Sequence, residues 1–239
     1  MEMNKELFEL YLSKCDSLTK SISLIYQDDS LLSKPTNPLL IKIDNEEDYS
    51  SADIRLMIFG QETNGWYEKG DSIEGILKGY DDFFNTDYCY SYGGQFWNGI
   101  SRFISMISKK YPNKKIRYIW NDIVKIGKSE GKGLPPDYIY NVERSLFSVI
   151  KDEIKIIKPN FLLFFTGPYY DNKIEDNFGK VNFKPILPYN VRQVAKTNIE
   201  NITAIRTYHP NHLWRNDINS YFDSIINEIK ICRIACFSG

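Results

Sequence analysis

The sequence predicts an α/β fold of three layers, α/β/α, with a central four-stranded parallel sheet. The strand candidates are short runs that are apolar throughout, such as LMIF at 56–59, within the strand predicted at 55–59, and FLLFF at 161–165. Such runs are typical of strands that are buried on both faces. Segments with helical spacing of apolar residues separate these runs, and strands that alternate with helices form a parallel sheet.

The first fifty residues are predicted to pack on the core without contributing strands to it. Apolar residues recur at helical spacing over 5–27, which predicts an opening helix. The stretch 28–51 is polar and contains Pro35 and Pro38, which indicates a connection. We therefore predict an N-terminal helix and connection over 1–50, and a core domain over 51–239.

The remaining elements are predicted from the same two periodicities. They are a strand at 55–59, a loop GQETNGW at 60–66, a short helix or lid at 71–80, a tyrosine-rich loop at 81–94, a helix at 95–111, a strand at 117–120, a long helix at 137–157 capped by Asp137, a strand at 161–167, a strand at 202–205 and a final helix at 216–231.

Composition excludes some classes of function. Of the 239 residues, 42% are hydrophobic and 26% are charged, as in an ordinary globular protein. The net charge of −1 gives no overall field that would attract nucleic acid or a membrane, so any such contact is local. The densest basic patch is SKKYPNKKIR at 108–117. No stretch is long and apolar enough to span a membrane, so we expect a cytoplasmic monomer with no membrane partner.

The four cysteines do not predict a cofactor. Cys15, Cys89, Cys232 and Cys236 lack paired CxxC spacing, so we expect free thiols in a reducing compartment.

Polar residues follow the four predicted strands in the sequences GQETNGW, WNDIVK, TGPYYD and TYHPNHLWR. The carboxyl ends of parallel strands meet at one edge of the sheet, where ligands bind. Glu62 there could orient water or stabilise positive charge, or it could simply cap the next helix. Asn121 could hydrogen-bond an amide-like edge or cap a turn. His209 is one of only two histidines, and it lies in such an exit.

A metal site is an alternative use of the same residues. His209, His212 and Glu62 would form a set of two histidines and one carboxylate. Pro210 argues against a helix that presents both imidazoles on one face. We therefore predict no metal.

In their order, the four exits resemble the motifs of the uracil-DNA glycosylase superfamily. GQE follows the first strand, an asparagine in WND follows the second, an apolar strand ends at Gly167, and HPN is followed by Leu213. The resemblance spans residues 55–229. It implies the α/β/α fold with four parallel strands. It also implies a cofactor-free enzyme that flips a nucleotide out of DNA and hydrolyses its N-glycosidic bond.

The resemblance also implies roles for individual residues. Glu62 would activate water or stabilise the cationic sugar, and His209 would stabilise negative charge on the leaving base. The implied base-binding residues are Gly60 and Gln61, which shape the loop, Asn121, which hydrogen-bonds the base, and Trp66, Phe96 or Trp97, which stacks on it. The implied DNA contacts are Asn211, the wedge Leu213, Arg215 and Lys125.

Departures from the superfamily pattern leave the substrate open. GQETNGW lacks a proline–tyrosine continuation, and Asn211 stands in place of the usual serine. The expected activity is cleavage of uracil or a related damaged base from single- or double-stranded DNA. The alternatives are a non-catalytic module that binds nucleobases or nucleic acid with the basic patch, and a hydrolase for small nucleotides or other metabolites.

Overall fold

A mixed six-stranded sheet with helices on both sides forms the centre of the computed structural model, which describes residues 2–66 and 72–229. The strands are β1 (Ile54–Asn64), β2 (Ile116–Lys128), β3 (Phe161–Phe164), β4 (Lys184–Pro185), β5 (Val194–Ile199) and β6 (Ile202–Thr207). The α-helices are α1 (Met3–Gln27), α2 (Glu46–Ser50), α3 (Ile73–Tyr80), α4 (Tyr88–Tyr92), α5 (Gln95–Lys110), α6 (Asp137–Leu146), α7 (Ile150–Ile157), α8 (Asp171–Phe178), α9 (Pro210–Leu213) and α10 (Ile218–Asn227). Across these residues, every helix is too short or too polar to cross a lipid bilayer.

The prediction of four parallel strands describes only part of the sheet. The strand order is β2-β1-β3-β6-β5-β4, and the first four of these strands are parallel to one another. β5 and β4 extend the sheet in the antiparallel direction. β5 reads VAKTNI, with polar residues among its apolar ones. A search for continuous apolar runs misses such a strand, because β5 is only partly buried and its sequence is not apolar throughout.

Two predicted helical segments also differ from the structure. The helix predicted over 137–157 is divided into α6 and α7, because Phe147 leaves helical geometry at φ −134°. The apolar periodicity stays in phase across the break and therefore does not reveal it. Asp137 is the first residue of α6 and does not cap it.

The loop predicted over 81–94 contains a π-helical turn, Asp81–Asn85, followed by α4. The final helix ends at Asn227, and its predicted last two residues lie outside the described part of the chain.

β1 and β2 are longer than predicted. They remain paired beyond Gly60, whereas β3 ends at Phe164 beside Phe59. The six-stranded sheet therefore narrows to a ribbon of two strands at Gly60. Most of the predicted loop GQETNGW is part of this ribbon, and the segments that follow β3 and β6 lie next to it.

The N-terminal connection covers the outer edge of β2. Leu39 N–H donates to the carbonyl of Lys125 at 2.8 Å, and Thr36 N–H donates to that of Gly127 at 3.1 Å. An uncovered edge strand would leave these carbonyls free to pair with another chain. The connection thus closes one side of the sheet.

A buried polar network joins α1, β2 and α7. The ammonium of Lys125 lies 2.8 Å from Glu153 Oε1 and 2.7 Å from Asn121 Oδ1. Tyr11 donates its hydroxyl proton to the same Glu153 oxygen at 2.7 Å, and Asn121 Nδ2 donates to Glu153 Oε2 at 2.8 Å. All four side chains are buried. Because buried charges are costly unless they are paired, this network fixes the three elements relative to one another.

We expect Lys125→Met to lower the free energy of unfolding by about 3–5 kcal/mol, because it leaves the carboxylate of Glu153 buried without its cation. Urea denaturation followed by circular dichroism measures this. The matched control is Lys155→Met, which removes the exposed ion pair with Asp152 and should change stability little. Equal effects of the two substitutions would contradict the role assigned to the buried pair.

Candidate functional site

The two faces of β2 carry different groups at the predicted second exit. Successive side chains of a strand point to opposite faces. Asn121 and Lys125 therefore share the face that contacts Glu153, and Asp122 lies on the other. Asn121 is fully buried, and both of its polar atoms are engaged within the protein. Contrary to the prediction, its amide is not available to bind a base.

Two predicted DNA contacts are also corrected. Lys125 is fully buried in its ion pair, so it cannot contact a phosphate at the surface. Leu213 is fully buried in the core and so cannot serve as a wedge in this conformation. Asn211 and Arg215 are exposed, as a DNA contact would require.

β1 and Asp122 approach each other closely at Gly60. Gly60 pairs directly with Asp122 in the parallel register. A Cβ atom on Gly60 would lie 2.2 Å from Asp122 Oδ1 and 3.2 Å from Phe96 Cζ. Only glycine leaves room for this carboxyl group, and the Phe96 ring from α5 lies beside it. Glu62 follows two residues later on the same face of β1.

The surroundings of Asp122 favour the protonated form of its carboxyl group. Its side chain is buried, and Trp120 Nε1 donates a hydrogen bond to its Oδ1 at 3.2 Å. Burial raises the pKa of Asp122 well above its usual value, and the nearby carboxylate of Glu62 raises it further. The site therefore contains two carboxyl groups in different surroundings.

Glu62 is held by segments that follow two other strands. The backbone N–H of Gly133, after β2, donates to Glu62 Oε1 at 3.0 Å. Tyr170, after β3, donates its hydroxyl proton to Oε2. Burial raises the pKa of Tyr170, with a further contribution from the charge of Glu62, so its hydroxyl remains a donor. Both carboxylate oxygens are thus held at the open end of the sheet. Gln61 next to it donates from Nε2 to the carbonyl of Thr166 at 2.8 Å and so fixes the strand position.

His209 is a neutral histidine with a defined tautomer. Burial lowers the pKa of His209 to about 4, so its imidazole is uncharged at neutral pH. The N–H of Asn211 donates to His209 Nδ1 at 3.2 Å. The ring proton therefore resides on Nε2. Within residues 2–66 and 72–229, Nε2 makes no hydrogen bond, and it remains a donor for a ligand.

Phe96 lies between His209 and the strand β1. Its ring stacks on His209, with centroids 5.5 Å apart and planes 20° apart, and it also borders Gly60. Phe96 is half-buried, whereas Trp66 and Trp97 are buried in an aromatic cluster around Trp120. Of the three residues predicted to stack on a base, Phe96 is thus the least buried, and the stacking role stays a prediction.

The position of His209 depends on how α9 packs on α5. A Cβ atom on Gly99 of α5 would lie 2.4 Å from Pro210 Cβ, so glycine permits the close approach of the two helices. The buried Leu213 anchors the other end of α9. Next to it, Trp214 is 41% exposed, and its Nε1 donates to the carbonyl of Gln95 at 3.3 Å.

Neither the predicted basic patch nor a metal cluster is a prominent feature of the described residues. Lys114 pairs with Asp53 at 2.8 Å, and Lys115 and Arg117 both pair with Asp48, so two carboxylates offset part of the positive charge of the five basic residues in the patch. In the same ranges, no three histidine, cysteine, aspartate or glutamate side chains are grouped as metal ligands.

Sequence reasoning missed Asp122 and Tyr170. Asp122 directly follows the predicted Asn121. The sequence patterns did not indicate which face of this strand, the one with Trp120 or the one with Asn121, would border the site. Alternation along this strand could have indicated that only one of the two neighbours faces Glu62. Tyr170 occurs in the exit TGPYYD, but no local pattern distinguishes it from Tyr169.

Gly60→Ala is expected to lower the free energy of unfolding by about 1–3 kcal/mol, since the added methyl group overlaps Asp122 Oδ1. Thermal and urea denaturation measure the effect. Combining it with Asp122→Ala should cost less than the sum of the two single substitutions, because the overlap is then removed. If the two losses of stability were strictly additive, the overlap between the new methyl group and Asp122 would not be the cause of the destabilisation.

Lowering the pH should destabilise the protein through His209. Its pKa is depressed in the folded state, so the unfolded chain binds more protons between about pH 6.5 and 4, and stability falls as the pH falls through that window. The slope due to this group is at most roughly 1.4 kcal/mol per pH unit. His209→Gln should remove that slope in urea titrations at a series of pH values, and His212→Gln, at the exposed second histidine, should retain it.

The sequence was also compared with known proteins. No protein-family model matches the chain, and no curated protein matches it significantly.

Proposed function

We propose that this protein hydrolyses the N-glycosidic bond of uracil or a related damaged base in DNA. The observation that carries the proposal is a fixed carboxylate, Glu62, and a neutral histidine donor, His209, at the carboxyl ends of two parallel strands of the sheet. Phe96 stacks on His209 and borders Gly60, two residues before Glu62. The resemblance of the four strand exits to the uracil-DNA glycosylase superfamily supports the same reaction.

The carboxylate suits the sugar half of the reaction. As the bond between C1′ and the base nitrogen breaks, the sugar approaches an oxocarbenium ion. Glu62 provides negative charge for this cation, and its hydrogen bonds from Gly133 and Tyr170 hold it without a change of conformation. Water then bonds to C1′ and loses one proton, which the departing base finally receives.

The histidine suits the base half. The leaving base carries the electron pair of the broken bond as an anion, which a preorganised donor stabilises. Neutral His209 offers the Nε2 proton for this hydrogen bond without the strong desolvation cost of an imidazolium. The half-buried ring of Phe96, which stacks on His209, adds an aromatic surface beside the imidazole for a flipped base.

Strand cleavage tests the proposal. Single- and double-stranded oligonucleotides carrying uracil, hypoxanthine, xanthine or an oxidised pyrimidine are incubated with the protein and then treated with alkali, which cuts abasic sites. We expect cleavage of at least one substrate. Glu62→Gln and His209→Gln should each lower its rate by about 100-fold or more, as loss of a transition-state contact does.

The control for these substitutions is Glu74→Gln, at an exposed position on α3, which should retain the wild-type rate. Circular dichroism verifies that each variant is folded. Absence of cleavage across the whole panel would contradict the proposal, as would full activity of both Glu62→Gln and His209→Gln.

A further inference from the structure

A cavity of about 420 Å³ lies at the outer edge of β2, at the end of the sheet where this strand begins. It is bordered by α2, the π-helical turn, α5 and residues 116–119 of β2. β2 is the edge strand of the sheet, and the N-terminal connection hydrogen-bonds to it at Lys125 and Gly127. The cavity therefore follows a part of the edge that precedes the covered part. A pocket of this size accommodates a small organic molecule.

Tyr49 of α2 carries a buried hydroxyl that has no hydrogen-bond partner among residues 2–66 and 72–229. The residue is 2% exposed and forms part of the cavity wall. Burial raises the pKa of Tyr49, so the hydroxyl is uncharged at neutral pH. Buried polar groups are normally paired, because an unpaired one lowers stability. A ligand in the cavity supplies the partner that the described part of the chain does not.

The charged groups that line the cavity are mainly acidic. Asp44, Asp48 and Asp87 line it together with one basic residue, Arg117. Asp48 is paired with Arg117 and with Lys115. The exposed carboxylates of the other two aspartates form no ion pair or side-chain hydrogen bond with any described residue. Two negative charges are thus left for a ligand.

These two carboxylates belong to walls that adjoin each other. Asn85 Nδ2 donates a hydrogen bond to the carbonyl of Lys42 at 3.3 Å. Asp44 and Asp87 each lie two residues beyond one of these partners. A cation at the mouth of the cavity is therefore attracted by both carboxylates.

Much of the remaining lining is apolar. Ile43 precedes α2, Phe84 belongs to the π-helical turn, and Ile104 and Ile116 come from α5 and β2. Contact with such side chains favours a ligand that has an apolar part, since both surfaces are then removed from water.

We propose that this cavity binds an organic cation, that is, an ammonium or guanidinium group carried on a short apolar chain. Such groups offer several N–H donors. The carboxylates of Asp44 and Asp87 attract the charge, the isoleucines contact the chain, and the hydroxyl oxygen of Tyr49 accepts a hydrogen bond from an N–H of the ligand. The inference goes beyond the proposed function, because the cavity shares no residue with the site around Glu62 and His209.

Isothermal titration with four compounds that share a hexyl chain tests the class of ligand. Hexylamine and hexylguanidine are positively charged, hexan-1-ol is neutral, and hexanoate is negatively charged. We expect at least one of the two cations to bind about 10-fold or more tightly than hexan-1-ol, as a charge-assisted contact does. Hexanoate should bind more weakly than the alcohol, because the unpaired carboxylates repel it.

Tyr49→Phe separates a contact with the ligand from a structural role. It should weaken the binding of the preferred cation by about 10-fold, because a hydrogen bond from a charged group is lost. In the ligand-free protein, the urea midpoint should stay the same or rise, because the substitution removes an unpaired buried hydroxyl. Tyr169→Phe, at a tyrosine that is 79% exposed, is the matched control and should change neither the affinity nor the urea midpoint.

Asp44→Asn and Asp87→Asn should each weaken the binding of that cation by about 2–5-fold, as expected for the loss of an exposed charge pair. Asp29→Asn, at another exposed aspartate, is the matched control and should retain the wild-type affinity. If Tyr49→Phe does not fold, the two variants at the mouth of the cavity decide alone.

No binding of any of the four compounds, or binding of hexan-1-ol as tight as that of both cations, would overturn the inference. So would an unchanged affinity of folded Tyr49→Phe, or of both Asp44→Asn and Asp87→Asn. A lowered urea midpoint of ligand-free Tyr49→Phe would mean that the hydroxyl has a partner within the protein, and would overturn it as well. Cleavage of oligonucleotides tests the proposed function separately, because none of these substitutions touches the site around Glu62.

Discussion

The buried ion pair between Lys125 and Glu153 is the interaction on which the rest of the structure depends. Two charges in the interior must remain together, so α7 and β2 have one relative position, and the hydroxyl of Tyr11 adds α1 to the same arrangement. The pair also sets the orientation of β2. With Lys125 facing α7, alternation along the strand turns Asp122 to the opposite face, towards Gly60 and Glu62.

The candidate site follows from that orientation and from two close backbone approaches. Gly60 leaves room for the carboxyl group of Asp122, and Gly99 lets α9 pack on α5 with His209 at its start. The ribbon of β1 and β2 extends beyond the other strands, so segments that are distant in sequence meet along it. Glu62 thus receives one hydrogen bond from the segment after β2 and another from the segment after β3. An acid, an aromatic ring and a neutral imidazole are thus fixed by contacts within the protein itself.

Much of this arrangement could be predicted from the sequence, and the remainder could not for identifiable reasons. Continuous apolar runs indicated the parallel strands, because burial on both faces leaves a strong signal in composition. β5 has no such signal. Asn121 and Asp122 are both polar and adjacent, and only the ion pair of Lys125 decides which one faces the site. Burial of Leu213 results from the packing of α9, which depends on residues more than a hundred positions away and has no local pattern.

The network around Glu153 also bears on how the chain acquires its fold. Tyr11 and its carboxylate partner Glu153 are 142 residues apart, and the residues that cover the edge of β2 precede their hydrogen-bond partners in β2 by more than eighty residues. Folds dominated by such distant contacts form slowly, because loop closure costs entropy before the contacts stabilise it. During synthesis, the apolar side of α1 emerges long before α7 exists. Until then, that side is open to association with other polypeptides, so a helix that is made before α7 reaches its native contacts only once α7 has been made.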